Sequence, residues 1–143
     1  MRKKEQSNLA DSPKRRFTLP KSHVLRGRRN FENLFSASKL ITSPTVNLRF
    51  AVYPNSGDNI LAGFIAPKKI GIAVKRTRAK RLLREAYRLN RHILSGLSTQ
   101  INTEIHLVLM AKHAQLDFDN VQNDVISLLK KLQAQLVPHS SPI

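Results

Sequence analysis

Between Lys68 and Arg91 the sequence places ten Lys or Arg side chains against one acid, Glu85. Like charges one helical turn apart destabilise a helix by roughly a few tenths of a kcal/mol per pair. This density therefore serves a partner rather than the fold, and the chemistry it suits is neutralisation of a polyanion. Within the stretch, Ala79, Leu82, Leu83, Ala86, Leu89 and Ile93 recur at helical spacing and make one apolar stripe. Lys80, Arg81, Arg84, Arg88 and Arg91 fall mostly off it. Lys68, Lys69 and Lys75 belong to the loop that leads in, and Thr77 is placed to cap the first turn. A helix N-terminus offers partial positive charge and free N–H groups, both suited to phosphate. Arg76, Arg78, Lys80 and Arg81 are expected where side-chain charge and helix dipole add.

The whole chain shares this bias. It has 143 residues, with 25 Lys or Arg, 9 Asp or Glu and a net charge of +16. Such a field draws nucleic acid or an anionic membrane surface. No segment approaches the ~20 apolar residues that span a bilayer. The first apolar residues stand singly among Lys, Arg, Asp and Ser, unlike a secretory signal. Cysteine is absent, which excludes disulfides, zinc-thiolate sites and thiol catalysis. The class these features define is a cytoplasmic, nucleic-acid-binding protein with no membrane partner.

Catalytic constellations are missing. His23, His92, His106, His113 and His139 show no metal-ligand spacing, and His106 sits inside an apolar run as a core histidine would. Asp117, Asp119 and Asp124 cluster where a last helix begins, a position that suits the helix dipole. No glycine-rich phosphate loop of the G-x-x-x-x-G-K type is present. The chain is equipped to hold RNA, not to cut it unaided, and we expect it to bind no metal or other cofactor itself.

The elements that must position the basic stretch follow from periodicity. Residues 1–16 read as a disordered basic arm, 17–137 as one RNA-binding domain and 138–143 as a frayed tail. Phe17 and Leu19 are expected to pin an extended segment to the body. Ser22 is placed to cap a helix over about 23–37, with Val24, Phe31, Leu34 and Phe35 on its apolar stripe. A short strand around Leu40–Ile41 is weakly signalled. Residues 45–53 alternate, with Val46, Leu48, Phe50 and Val52 on one side and Asn47, Arg49 and Ala51 on the other. A turn over 54–59 leads to a second strand, 60–66, expected as the antiparallel partner of the first. Gly96 is the expected stop of the central helix. Ile105–Met110 is a nearly continuous apolar run, as in a strand covered on both faces. Asp117 then caps a core-packing helix over 118–136. The order is α-β-β-β-α-β-α.

From Ala66 to Glu85 the sequence resembles the bacterial ribonuclease P protein family. That family's pattern is Lys-Lys-x-Gly-x-Ala-Val, then Arg-Asn-Arg-x-Lys-Arg-x-x-Arg on a helix. Lys68, Lys69, Gly71, Ala73, Val74, Arg76, Arg78, Lys80, Arg81 and Arg84 stand in those places. Thr77 departs from the usual Asn, and a hydroxyl cannot make an amide's two-sided contact. Leu25-Arg26 and Phe31-Glu32-Asn33-Leu34-Phe35 are similar to the family's first helix, and the likeness covers about residues 17–135.

The resemblance implies an α/β fold, a two-layer α+β sandwich like that of a ribosomal protein, with a left-handed β-α-β crossover. It implies the small subunit of a ribonucleoprotein endoribonuclease that removes the 5′ leader from precursor tRNA, the RNA performing the hydrolysis with Mg²⁺. Lys68, Lys69, Lys75, Arg76, Thr77, Arg78, Lys80, Arg81, Arg84 and Arg88 would face the ribonuclease P RNA, one protein per RNA. A cleft holding Arg26, Phe31, Phe35, Arg49 and Phe50 would receive the precursor tRNA leader. The competing reading is a ribosome-associated structural RNA-binding protein, which the charge and fold fit equally well. A DNA-binding helix-turn-helix is disfavoured because a strand and a loop, not a helix, precede residue 76.

Overall fold

The apolar run at Ile105–Met110 becomes the centre of the sheet. The computed structural model describes residues 18–54, 57, 59–97, 101 and 103–137. Its elements are α1 (Arg28–Ser36), β1 (Lys39–Thr42), β2 (Val46–Pro54), β3 (Ile60–Ile65), α2 (Ala73–Asn90), β4 (Thr103–Ala111) and α3 (Phe118–Leu136). Short 3-10 turns lie at Lys21–His23, Lys68–Ile70 and Arg91–Leu94. This is the expected order, and the weakly signalled strand at Leu40–Ile41 is β1. The basic arm at 1–16, Phe17, the tail at 138–143 and part of the turn at 54–59 fall outside the described residues.

The sheet order is β1-β2-β4-β3. β2 pairs antiparallel with β1 and with β4, while β3 runs parallel to β4 and α2 crosses between them. The expected hairpin between the strands at 45–53 and 60–66 is thus corrected: β4 inserts between them. Burial explains this. Ile105, Leu107 and Leu109 face one side and Val108 the other, all fully buried, and an interior place between two neighbours shields such a strand most completely. β3 takes the edge instead, and the chain before α1 covers that edge. Val24 bridges Ala62, and the Leu25 N–H donates to the Ala62 carbonyl at 2.8 Å.

That edge pairing also corrects the first helix. Val24 and Leu25 are extended rather than helical, and Ser22 lies in a 3-10 turn rather than at a cap. Gly27, at φ 93°, turns the chain and precedes the first helical residue, Arg28. The central helix likewise ends earlier than its apolar stripe suggests. α2 stops at Asn90, a 3-10 turn carries on to Leu94, and Gly96 at φ 78° turns the chain away.

Two cores flank the sheet. On one face Leu48, Phe50, Leu107 and Leu109 pack with Leu83, Ala86 and Tyr87 of α2 and with Val121, Val125 and Leu128 of α3. On the other, Ala51 and Val108 meet Leu25 and Leu34, with Phe31 against them. Gly63 permits that second packing, since a Cβ there would stand 2.8 Å from the Phe31 ring. His106 fits the reading of a core histidine: it is 9% exposed, Nε2 lies 2.7 Å from the Glu104 carboxylate, and its ring lies against Tyr53. Asp117 caps α3 as expected, its Oδ1 accepting the Asn120 N–H at 2.8 Å. Asp124 accepts the Thr45 N–H at 2.9 Å and so ties α3 to the start of β2.

Two outcomes follow. Asp117→Ala should lower the unfolding free energy by about 1 kcal/mol, read from urea midpoints, because an N–H of the first turn is left without its acceptor. Burial pushes the Tyr87 hydroxyl up to about 12 from its ordinary 10, and the Arg91 charge opposes this in part. The fold favours the protonated phenol, so the contribution of Tyr87 is complete below pH 10 and is lost as pH rises towards 12. Wild type should lose more stability over that range than Tyr87→Phe, and parallel pH curves would contradict this.

Candidate nucleic-acid interface

The basic helix starts earlier than its caps suggest. α2 begins at Ala73, with extended Ile72 before it and no side-chain cap. Thr77 is the fifth helical residue and exposed, so it caps nothing. The earlier start brings Lys75 and Arg76 into the first turn, with Arg78, Lys80 and Arg81 in the turns that follow. Four N-terminal N–H groups of a helix lack intrahelical partners, and no acid stands in the first turn of α2 to compete for them. Lys68, Lys69, Lys75, Thr77, Arg78, Lys80, Arg81 and Arg84 are exposed, while Arg76 and Arg88 are half-buried. Ala79, Leu83, Ala86 and Tyr87 turn to the core and leave the basic side chains outside.

Several guanidinium groups are already oriented. Arg76 Nε donates to the Gly71 carbonyl at 3.2 Å, and Arg78 Nη1 donates to the Leu116 carbonyl at 3.0 Å. Each bond uses one of five donors. Arg84 lies 5.5 Å over the Phe64 ring, whose plane meets Tyr87 edge-on. Arg88 Nε donates to Glu85 at 3.1 Å, and that hydrogen bond holds the Glu85 carboxyl below its usual range. Arg88 is therefore partly neutralised, unlike its neighbours on α2.

A second surface lies across the sheet. Phe31 is half-buried against Gly63, whereas Phe35 is 40% exposed. The Arg49 guanidinium stands 5.8 Å over the Phe35 ring and Nη1 lies 3.3 Å from Ser38 Oγ. Arg26 is exposed just before α1. Phe31, Phe35 and Arg49 lie on the α1 side of the sheet, with Arg49 over Phe35. Phe50 does not: it is 3% exposed and packs in the core beneath α2 and α3, and this corrects its placement in the cleft. Successive strand residues face opposite ways, so Phe50 and Arg49 cannot share a face.

Sequence reasoning missed two groups. Asn47 shares the face of Arg49, paired with Met110 as Arg49 is with Val108, and its buried Oδ1 has no hydrogen-bond partner among the described residues. The alternation of β2 was the signal available for it. Ile72 and Val74 are 67% and 74% exposed beside the densest positive charge. Ile72 had no local mark, because an apolar residue in a loop reads as packing against a core, and Val74 was marked only by the family pattern. Among the described residues, no three His, Asp or Glu side chains gather where an ion could be held.

A basic helix over one face of a four-stranded sheet and an exposed Phe35 under Arg49 on the other fit a small α/β RNA-binding protein. The comparisons with known proteins give its family. The profile of the ribonuclease P family matches residues 19–133. The ribonuclease P protein component of Desulforapulum autotrophicum is 30% identical over 116 residues, covering 81% of this chain and 93% of that one. That of Desulfovibrio desulfuricans is 31% identical over 135 residues, covering 90% and 96%. Among solved structures, the Staphylococcus aureus ribonuclease P protein matches with a TM-score of 0.62 at 18% identity, over 81% of this chain and 98% of that one. The Thermotoga maritima protein matches with a TM-score of 0.61 at 24% identity, over 76% and 96%. The chain belongs to the ribonuclease P protein family. It is a subunit of a ribonucleoprotein endoribonuclease of tRNA 5′ processing, its partner is the ribonuclease P RNA, and catalysis is performed by that RNA.

The two-face arrangement makes a stability contrast. Phe35→Ala should change the unfolding free energy by less than about 1 kcal/mol. Phe50→Ala should lower it by about 3–5 kcal/mol. Urea denaturation of both variants checks this, and equal effects would contradict it.

Proposed function

We propose that α2 lies against the ribonuclease P RNA while the cleft between α1 and the sheet takes the single-stranded leader of precursor tRNA. One protein serves one RNA, in the cytoplasm; no described helix is long and apolar enough to cross a membrane. Residues 17–137 form the RNA-binding domain. The observation that carries this reading is the separation of the two surfaces by one sheet: the α2 cations on one side, Phe35 and Arg49 on the other.

The chemistry of each surface suits its role. On the α2 side, Lys75, Arg76, Thr77, Arg78, Lys80, Arg81 and Arg84, together with Lys68 and Lys69, present donors to phosphates, which give affinity without sequence choice. On the other side, Phe31 and Phe35 offer ring faces to leader bases, with Arg26 and Arg49 for the backbone between them. Stacking tolerates any base, as an enzyme acting on many precursors requires. Mg²⁺ serves the RNA, where it can activate the attacking water. The protein's charge lowers the repulsion between RNA segments that Mg²⁺ would otherwise have to screen.

The test is cleavage of a precursor tRNA by the catalytic RNA of the same organism, with and without this protein, as Mg²⁺ is lowered. Cleavage at the mature 5′ end should persist to lower Mg²⁺ with the protein. Lys80→Ala combined with Arg81→Ala should raise the Mg²⁺ needed several-fold. Phe31→Ala and Phe35→Ala should weaken binding of precursor tRNA but not of mature tRNA, by about 1–3 kcal/mol per stacked base. Equal weakening for both tRNAs would remove the leader from the cleft.

A further inference from the structure

Between the start of α2 and the loop that joins β4 to α3 lies an open pocket of about 680 Å³. Lys69, Gly71, Ile72 and Lys75 form one wall, and His113 and Ala114 the other. Two interactions bring the walls together. Gly71 allows close approach: a Cβ there would stand 3.3 Å from the Ala114 Cβ, and φ +157° is a conformation side chains rarely adopt. Arg78 ties α2 to the far end of the loop through the Leu116 carbonyl. The pocket is therefore built by the tertiary fold, from two segments about forty residues apart in sequence.

Its lining is cationic and apolar together. Among the described residues, no carboxylate lines it. The Lys112 ammonium turns away and donates to the Ser43 carbonyl at 3.0 Å. Lys69 and Lys75 remain exposed, and beside them Ile72 shows 67% of its surface to solvent. Ile72 stands extended at the cap position of α2, where an apolar side chain accepts no hydrogen bond from the helix start. A bare phosphate would use the lysines and leave Ile72 without a role. The pocket is open to solvent, and a nucleotide carries both the anion and the flat apolar surface this lining matches.

We propose that this pocket seats one unpaired nucleotide of the partner RNA, its phosphate between Lys69 and Lys75 and its base or ribose against Ile72. His113, on the opposite wall, can stack on the base or hydrogen-bond to it. The inference rests on the reading that α2 faces the catalytic RNA, and it adds a second wall from the β4–α3 loop that the basic-helix pattern does not contain.

The experiment measures binding of the full-length protein to the ribonuclease P RNA of the same organism across a salt series, with nucleotide-resolution chemical probing of the RNA. Lys69→Ala combined with Lys75→Ala should weaken binding at least tenfold and flatten the log–log salt slope by about 0.7–0.9 for each phosphate no longer neutralised. Ile72→Ala should weaken binding about fivefold with the slope unchanged. One nucleotide protected by the wild type should become reactive again with either variant. All three side chains are exposed, and circular dichroism verifies that the variants fold. Variants that bind and protect like wild type would overturn the pocket and leave the basic-helix reading standing. So would a flattened slope with no effect of Ile72→Ala, since that describes a phosphate bound without its nucleotide. Failure of the wild type to bind would overturn both.

Discussion

The structure depends on the need of β4 to be covered on both faces. A strand with Ile105, Leu107 and Leu109 on one side and Val108 on the other cannot lie at an edge without exposing apolar surface. Its interior place forces β2 and β3 apart and makes β3 its parallel neighbour. Parallel strands need a crossover, and α2 is that crossover. The chain then leaves β3 and β4 at the same end of the sheet. Residues 67–72 and 112–116 become neighbours there, which is why Arg78 can reach the Leu116 carbonyl and Gly71 can face Ala114. An antiparallel hairpin of β2 and β3 would not place these two segments together.

On the proposed reading, the same sheet keeps two RNA-binding chemistries from interfering. The α2 face carries charge on a rigid helix whose inner side is anchored by Leu83, Ala86 and Tyr87. Arg76 and Arg78 are held by backbone carbonyls and Arg84 by the Phe64 ring, so these three give up less side-chain freedom when phosphate binds. The α1 face carries less charge, with one ring packed and one exposed. Phe31 fixes α1 on Gly63, and Phe35, one turn on, is left available under Arg49. Of the two aromatics at helical spacing, half-buried Phe31 thus also anchors α1, whereas Phe35 makes no such packing contact with Gly63.

Much of this was legible in the sequence, and what was not has physical reasons. Periodicity shows which side of an element is buried, so α3 from Phe118 to Leu136, its Asp117 cap, the faces of β2 and the inward stripe of α2 could all be read. Periodicity does not show which strand lies beside which. The hairpin expectation for 45–53 and 60–66 failed because pairing is decided by the most apolar strand, far along the chain. Capping preferences misplaced both helix starts. Ser22 and Thr77 are good caps in isolation, yet Val24 is drawn onto the sheet edge and α2 begins at Ala73, behind an Ile72 that supplies no cap. That local rule yields where the N–H groups stand among lysines, as is expected at a functional site. Phe50 was separable from Arg49 on alternation alone. The pocket residues Lys112 to Gln115 carried no readable signal, because only the crossover brings them to Gly71.

The central claim is that one sheet holds two different RNAs on its two faces. The chain has no cysteine, so one introduced thiol gives a single attachment point for a cleavage or cross-linking probe. A probe on Ser36→Cys, beside Phe35, and another on Thr77→Cys, on α2, can be compared in the assembled complex of protein, catalytic RNA and precursor tRNA. The account predicts that the first marks the precursor leader and the second marks the catalytic RNA. Marks from both probes on the same RNA strand would contradict it.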